Sequence, residues 1–321
     1  MQSLMIFLMK LNSMPLSHPY QGRRFPNFST FTYLKLVLAT CIIAFLSLGA
    51  HDLAIAHLGI PYPDSGGVPA WAKFVGVFLR ICAVVYFCRM ASWYLDRQSA
   101  VAAALLMGAL MVLFHETFRV IVVDNVMVEG WIDHRWIYMV LQRLPDACVN
   151  FFWGAVAVVI ARRIAGTKLL ISAIAVLAST AVSFFLVRPW IAAACGMLVD
   201  ALHLSEPSEV WQMPYNFYVY KFIYGGFIEP AIAMFVMVWL AWPGLKGSSA
   251  RRIAIFAFVT LMMRGRVVST FIYCFWSNQP LGTAIAAAGQ FFVETLILVV
   301  LSAYVWSLVT KGIGEHKDVP A

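Results

Sequence analysis

Charge is what this chain of 321 residues has least of: Asp, Glu, Lys and Arg make up 12% of it, against roughly 25% in ordinary soluble domains. With 62% hydrophobic residues and a mean hydropathy of +0.82, that scarcity excludes a soluble globular fold. Cysteine organises nothing either. The six cysteines, Cys41, Cys82, Cys88, Cys148, Cys195 and Cys274, stand singly with no CxxC, which excludes a disulfide framework and a thiolate metal site and leaves them as packing residues. No HExxH is present, and His115 has no second histidine four residues on, so a zinc-protease site is excluded as well. His51, His57 and His203 have no cysteine or carboxylate at ligand spacing and read as hydrogen-bonding residues near helix ends. No metal and no cofactor are expected.

What the chain does have is apolar runs long enough to cross a bilayer, for which about 20 residues suffice. They fall at 32–54, 72–95, 99–123, 136–161, 168–190, 222–243, 253–276 and 282–309. The expected fold is therefore an all-α polytopic membrane protein with eight transmembrane helices. The formal net charge of +8 would suit nucleic acid if it were clustered, but its distribution gives a different meaning. Lys10, Arg23, Arg24, Arg97, Arg162, Arg163, Lys168, Lys246, Arg251, Arg252, Lys311 and Lys317 lie in the tails and alternate connections. The opposite loops hold Lys73, Arg135 and Lys221 beside Asp64, Asp124, Glu129, Asp133, Asp200, Glu206 and Glu209. The positive-inside rule puts both termini in the cytoplasm, with the cell inner membrane as the expected location and no nucleic-acid partner. Trp71, Trp131, Trp136, Tyr138, Trp211, Tyr215, Tyr218 and Tyr220 gather on the outer side as an interfacial belt. Pro207 and Pro214 mark the third outer loop.

The two halves echo each other. Gly76 to Arg80 matches Gly225 to Glu229, and Trp93 matches Trp242, both at an offset of 149. Arg119-Val120 matches Arg266-Val267 at 147, Gln142 and Asp146 match Gln290 and Glu294 at 148, and His57 to Pro61 matches His203 to Pro207 at 146. Matches in one order imply a 4+4 internal repeat, parallel because four spans per half bring both halves in from one side. The expected organisation is a cytoplasmic tail over 1–30, four-helix halves over 31–163 and 164–311, and a cytoplasmic tail over 312–321.

Ionisable groups in hydrocarbon cost about 2.5–3.5 kcal/mol each on insertion scales and tend to face a bundle interior or water. This chain carries Arg80 in the second run, His115, Glu116 and Arg119 in the third, Arg143 and Asp146 in the fourth, Glu229 in the sixth, Arg264 and Arg266 in the seventh, and Glu294 in the eighth. Given the topology, all lie at mid-membrane or toward the outer side, which predicts a charged chamber open outward. Gln142 and Asp146, like Gln290 and Glu294, share a helix face at a spacing of four. Asp146, Glu294, Glu229, Gln142 and Gln290 are expected to hold structural ion pairs and polar contacts, Asp146 against Arg119 and Glu294 against Arg266. Arg80, Arg119, Arg143, Arg264 and Arg266 are the candidate substrate contacts, because guanidinium forks match carboxylate and phosphate oxygens. Two arginines flanking Gly265 cannot easily share one carboxylate, so one of them is expected to be free. His115 and Glu116 are the candidate proton couplers. The expected function is a transporter or permease for a small anionic or zwitterionic solute, with membrane lipid as its other partner, and not an enzyme. The competing readings are an enzyme acting on a lipid-linked, phosphate-bearing substrate at the outer leaflet, and a non-catalytic membrane subunit or sensor.

Overall fold

The computed structural model describes residues 29–163, 169–204 and 216–314. The tail charges Lys10, Arg23, Arg24 and Lys317 lie outside these residues, as do Lys168, Glu206, Pro207, Glu209, Trp211, Pro214 and Tyr215. Among the described residues there are helices and no strand. In chain order they are α1 (Thr30–Asp52), α2 (Ala70–Met90), α3 (Ser92–Leu95), α4 (Ala100–Phe114), α5 (Thr117–Met127), α6 (Arg135–Arg163), α7 (Leu169–Val182), α8 (Arg188–Ala201), α9 (Phe217–Gly226), α10 (Ile228–Ala241), α11 (Ser249–Met263), α12 (Arg266–Phe271) and α13 (Leu281–Gly314). A π turn over Leu53–His57 extends α1, and another over Ser183–Val187 joins α7 to α8.

Helix starts are set by short polar caps, whose side chains accept amides that have no partner inside the helix. Ser29 accepts from Thr32 N at 3.2 Å, Ser99 from Ala102 N at 3.1 Å, Asn216 from Val219 N at 3.0 Å and Ser248 from Arg251 N at 3.4 Å. Among the described residues seven stretches are long and apolar enough to cross a membrane: Thr30–His57, Ala70–Met90, Ala100–Met127, Arg135–Arg163, Leu170–Ala201, Phe217–Gly244 and Leu281–Thr310. The surface is inside out. Phe31, Leu34, Leu38, Ile42 and Phe45 are exposed along one stripe of α1, and Leu170, Ile174, Leu177, Trp190 and Met197 along α7 and α8, faces that water would not leave uncovered. The chain is a multi-pass helical membrane protein.

Two boundaries differ from the hydropathy reading. The fifth stretch runs on to Ala201 because the π turn over Ser183–Val187 carries the helix past Pro189. The sixth begins at Phe217, behind the Asn216 cap. More consequential are two interruptions. The run expected at 253–276 is not one helix and is not among the seven stretches: α11 ends at Met263, Gly265 takes φ +70, and α12 starts at Arg266. The third stretch is interrupted in the same manner, with Glu116 at φ +61 between α4 and α5. Glycine adopts that left-handed conformation freely. A glutamate does so at a cost and needs its surroundings to hold it.

The helices interlock across the chain. α6 lies between α4 and α8, α13 between α11 and α1, α2 packs on α6 and α11, and α10 on α4 and α13. The first helix thus rests on the last. The apolar core runs through Phe87, Met107, Phe114, Phe227, Met234, Met237 and Phe256, all fully buried. Helix approach is close where glycine permits it: a Cβ at Gly154 would overlap the Met107 carbonyl of α4, and one at Gly244 the Met90 carbonyl. Near that end of the bundle Trp93 Nε1 donates to the Leu240 carbonyl at 2.7 Å.

Candidate functional site

Both interruptions deliver charge into the core. Glu116 receives two guanidiniums, Arg119 on one oxygen and Arg264 on the other, and that double contact holds its unfavourable backbone. Arg264 then reaches Glu294 of α13 at 3.5 Å, donates through Nη1 to Thr295 Oγ1 at 3.2 Å and through Nε to the Phe114 carbonyl at 3.2 Å. The other oxygen of Glu294 lies 3.7 Å from Nδ1 of His51, near the end of α1. The result is a row of side chains, Arg119, Glu116, Arg264, Glu294 and His51, that joins both interrupted stretches to α13 and α1. Glu116, Arg264 and Glu294 are only 6%, 6% and 3% exposed. Pairing is what makes such burial tolerable, since a lone buried charge costs several kcal/mol.

A second carboxylate serves the first break. Glu229, in the first turn of α10, accepts from Phe118 N at 3.2 Å and from Arg119 N at 2.5 Å. It closes the N-terminus of α5, where unpaired amides and the helix dipole favour negative charge. Arg119 also donates through Nε to the Ile223 carbonyl at 3.2 Å, and a Cβ at Gly226 would stand 2.8 Å from Arg119 Cγ. Glycine there lets α9 close on the arginine.

Two other arginines stand differently. Arg80 of α2 lies against Gly265 and 5.8 Å from the Trp153 ring, and Arg266 lies 4.8 Å from the Phe291 ring. Among the described residues neither has a carboxylate within ion-pair distance, and the Nε of each is buried without an acceptor. His115 meets the Met111 carbonyl through Nδ1 at 2.9 Å, while its Nε2 is buried without a partner.

A loop closes over this core. Gln290 Nε2 donates to the Pro61 carbonyl at 3.0 Å, Gln279 Nε2 to the Tyr62 carbonyl at 3.1 Å, and Asp64 accepts from Asn278 N and Nδ2 at 3.2 and 2.7 Å. Bonds from Gly66 N and then Asn278 hold the Asp64 carboxyl below its ordinary value. Burial raises the Tyr62 phenol, whose ring lies 6.2 Å from His51 and 6.1 Å from Phe291.

Of the residues singled out in the sequence, Arg80, His115, Glu116, Arg119, Glu229, Arg264, Arg266, Gln290 and Glu294 gather around the two breaks, and Gln142, Arg143 and Asp146 do not. Arg143 pairs with Asp124 at 2.5 Å. Asp146 pairs with Arg188 at 3.1 Å, both side chains more than half exposed, and Gln142 is exposed beside them. The expected Arg119–Asp146 and Arg266–Glu294 pairs are therefore replaced by Arg119–Glu116, Arg188–Asp146 and Arg264–Glu294. The reason is orientation: α6 turns its Gln142/Asp146 face toward α8, whereas α13 turns Gln290/Glu294 inward. Of the two arginines flanking Gly265, Arg264 is engaged and Arg266 is not. Thr295 has no local motif to mark it, and the sequence places His51 at a helix end and Asp124 in an outer loop without linking either to the charged core.

No family model, curated protein or solved structure matches the chain. The chemistry is accordingly read from geometry. Two cavities border the core rather than occupying its centre: one of 340 Å³ reaches Arg119, Lys221 and Glu229 between Phe118, Phe222 and Gly226, and one of 250 Å³ holds Gln142, Asp146, Arg188 and Asp200. Among the described residues no three His, Cys, Asp or Glu side chains group as a metal site.

Proposed function

We propose that the protein is a permease for a small anionic or zwitterionic solute, bound where two corresponding helices break inside the membrane. In this reading the chain crosses the inner membrane eight times, the Ser249–Trp276 segment included, with both termini cytoplasmic and two parallel four-span halves. The observation that carries it is the correspondence of the breaks: Glu116 and Gly265 are 149 residues apart, as are the capping serines Ser99 and Ser248, the pair Arg80 and Glu229, and Trp93 and Trp242. In that register Arg119 stands opposite Val268 and Arg266 opposite Thr117, two residues away from the match made on sequence alone. Interrupted helices at equivalent positions of a repeat are the usual position of a transport site, because they free backbone groups and charges at mid-membrane.

Arg119, Arg264 and Arg266 supply the cationic side of this site, with Arg80 from α2. The 340 Å³ cavity is within the range of small-molecule sites, about 300–1,000 Å³, and its Arg119, Lys221 and Glu229 suit a solute with an acid at one end. His51–Glu294 joins His115 and Glu116 as a candidate proton carrier. Uptake of small radiolabelled carboxylates and amino acids by proteoliposomes tests the reading. Wild type is expected to concentrate at least one of them. Arg119→Gln is expected to lower uptake about tenfold or more, as loss of a charged hydrogen bond would. If no solute in the panel is taken up and none shifts the melting temperature, the charges serve only to hold helices together and the permease reading fails.

A further inference from the structure

We propose that Arg80 and Arg266 hold the carboxylate of an external ligand at the second helix break, in the role that the chain's own Glu229 fills at the first. The inference rests on the permease reading for the ligand being cargo, while the binding site itself stands on geometry. At the first break Glu229 brings a carboxylate to Phe118 N and Arg119 N, beside the Arg119 guanidinium. The residue 149 positions earlier, on α2, is Arg80, which lies against Gly265 so closely that even a methyl group there would overlap its guanidinium. Arg266 is the next residue. The second break is thus met by two guanidiniums where the first is met by a carboxylate.

Among the described residues no carboxylate of the neighbouring core pairs with them. Both oxygens of Glu116 face Arg119 and Arg264, those of Glu294 face Arg264 and His51, those of Glu229 take the α5 amides, and Asp146 sits with Arg188. Two half-buried guanidiniums with no carboxylate at ion-pair distance among the described residues and with Nε unpartnered are unfavourable, and a guanidinium binds a carboxylate through two parallel N–H···O bonds. The unpartnered Nε2 of His115 is on the same side, its ring 6.4 Å from the Trp153 ring on which Arg80 rests. Crowding around Gly265 and of the Tyr273 hydroxyl against Gly76 restricts the ligand to a compact one, a small carboxylic acid anion.

The test melts the purified full-length protein in detergent with acetate, inorganic phosphate or chloride at matched ionic strength. Acetate is expected to raise Tm with the logarithm of its concentration, and more than phosphate or chloride does. Arg266→Gln is expected to weaken the acetate effect about tenfold or more. Arg80→Glu supplies a carboxylate from within, as Glu229 does, and is expected to melt at or above wild type without acetate and to ignore its addition. The inference is overturned if acetate does no more for wild type than chloride or phosphate, or if Arg80→Glu responds to acetate as wild type does. Should Arg266→Gln fail to fold, those two measurements still decide. Acetate binding with no carboxylate uptake by proteoliposomes would leave the site standing and remove the permease reading. Uptake with unchanged KM in Arg80→Glu would do the reverse.

Discussion

Glu116 is the residue on which most of the core depends. It takes a backbone conformation that glutamate disfavours, and its carboxylate links Arg119 to Arg264. Glu116→Gln would leave the half-buried Arg119 without its paired carboxylate and the buried Arg264 with Glu294 alone, and the loss expected for a broken buried pair is about 3–5 kcal/mol, read as a fall in Tm in detergent with no ligand present. Gly265 is constrained for the opposite reason. It needs a positive φ and must have no side chain, because Arg80 occupies that space. Gly265→Ala is expected to cost about 1–3 kcal/mol, and a Tm equal to wild type would show that Arg80 moves away freely. Neither position announces its role in the sequence: Gly265 reads as the spacer between two arginines and Glu116 as one more intramembrane charge.

At the level of elements, hydropathy located the helices well because burial in lipid and burial in protein demand the same apolar runs. It could not locate the breaks. Apolar residues continue on both sides of Glu116 and of Gly265, so the interruption is written in backbone conformation and not in composition. Nor could spacing tell that α6 and α13, with the same Gln-x-x-x-acid pattern, present it to different surroundings: Asp146 faces exposed Arg188 and Glu294 the buried Arg264. That difference depends on which helix lies alongside, which no local pattern contains. The loop carrying Asp64 is a further element whose role was silent in the sequence. Its carboxyl is held below the ordinary value of 3.8 by bonds from Gly66 and Asn278, so the folded state favours the ionised form. The stabilisation is complete at pH values above that ordinary figure and is lost as pH falls through the lower folded-state value. Wild type is therefore expected to melt above Asp64→Asn at neutral pH, with the gap closing in acid below 3.8. A gap that stays constant into strong acid would show that the loop is held by something other than the carboxylate.

At the scale of the molecule, the first and last described helices are bound into one bundle. α1 packs on α13 and α6 on α8, Ser47 donates to the Glu294 carbonyl at 2.6 Å and Trp153 Nε1 to Ser183 Oγ at 2.8 Å. The described parts of 1–163 and 164–321 each lack a neighbour that the other supplies. Expressed as separate chains, each is expected to be unstable alone, and the two are expected to co-purify when made together. Recovery of either as a folded species by itself would contradict this interdependence.

The row of side chains from Arg119 to His51 has one more consequence. From Arg119 to Glu294 its signs alternate, and the Glu116–Arg264 contact ties the α4–α5 break to the α11–α12 break. The row behaves as a clasp. Neither group of helices can slide past the other without opening that contact, and an opened Glu116 or Arg264 must find a new mate of opposite sign nearby. Sliding would leave both charges buried without that mate, so the contact fixes the register of the helices it joins.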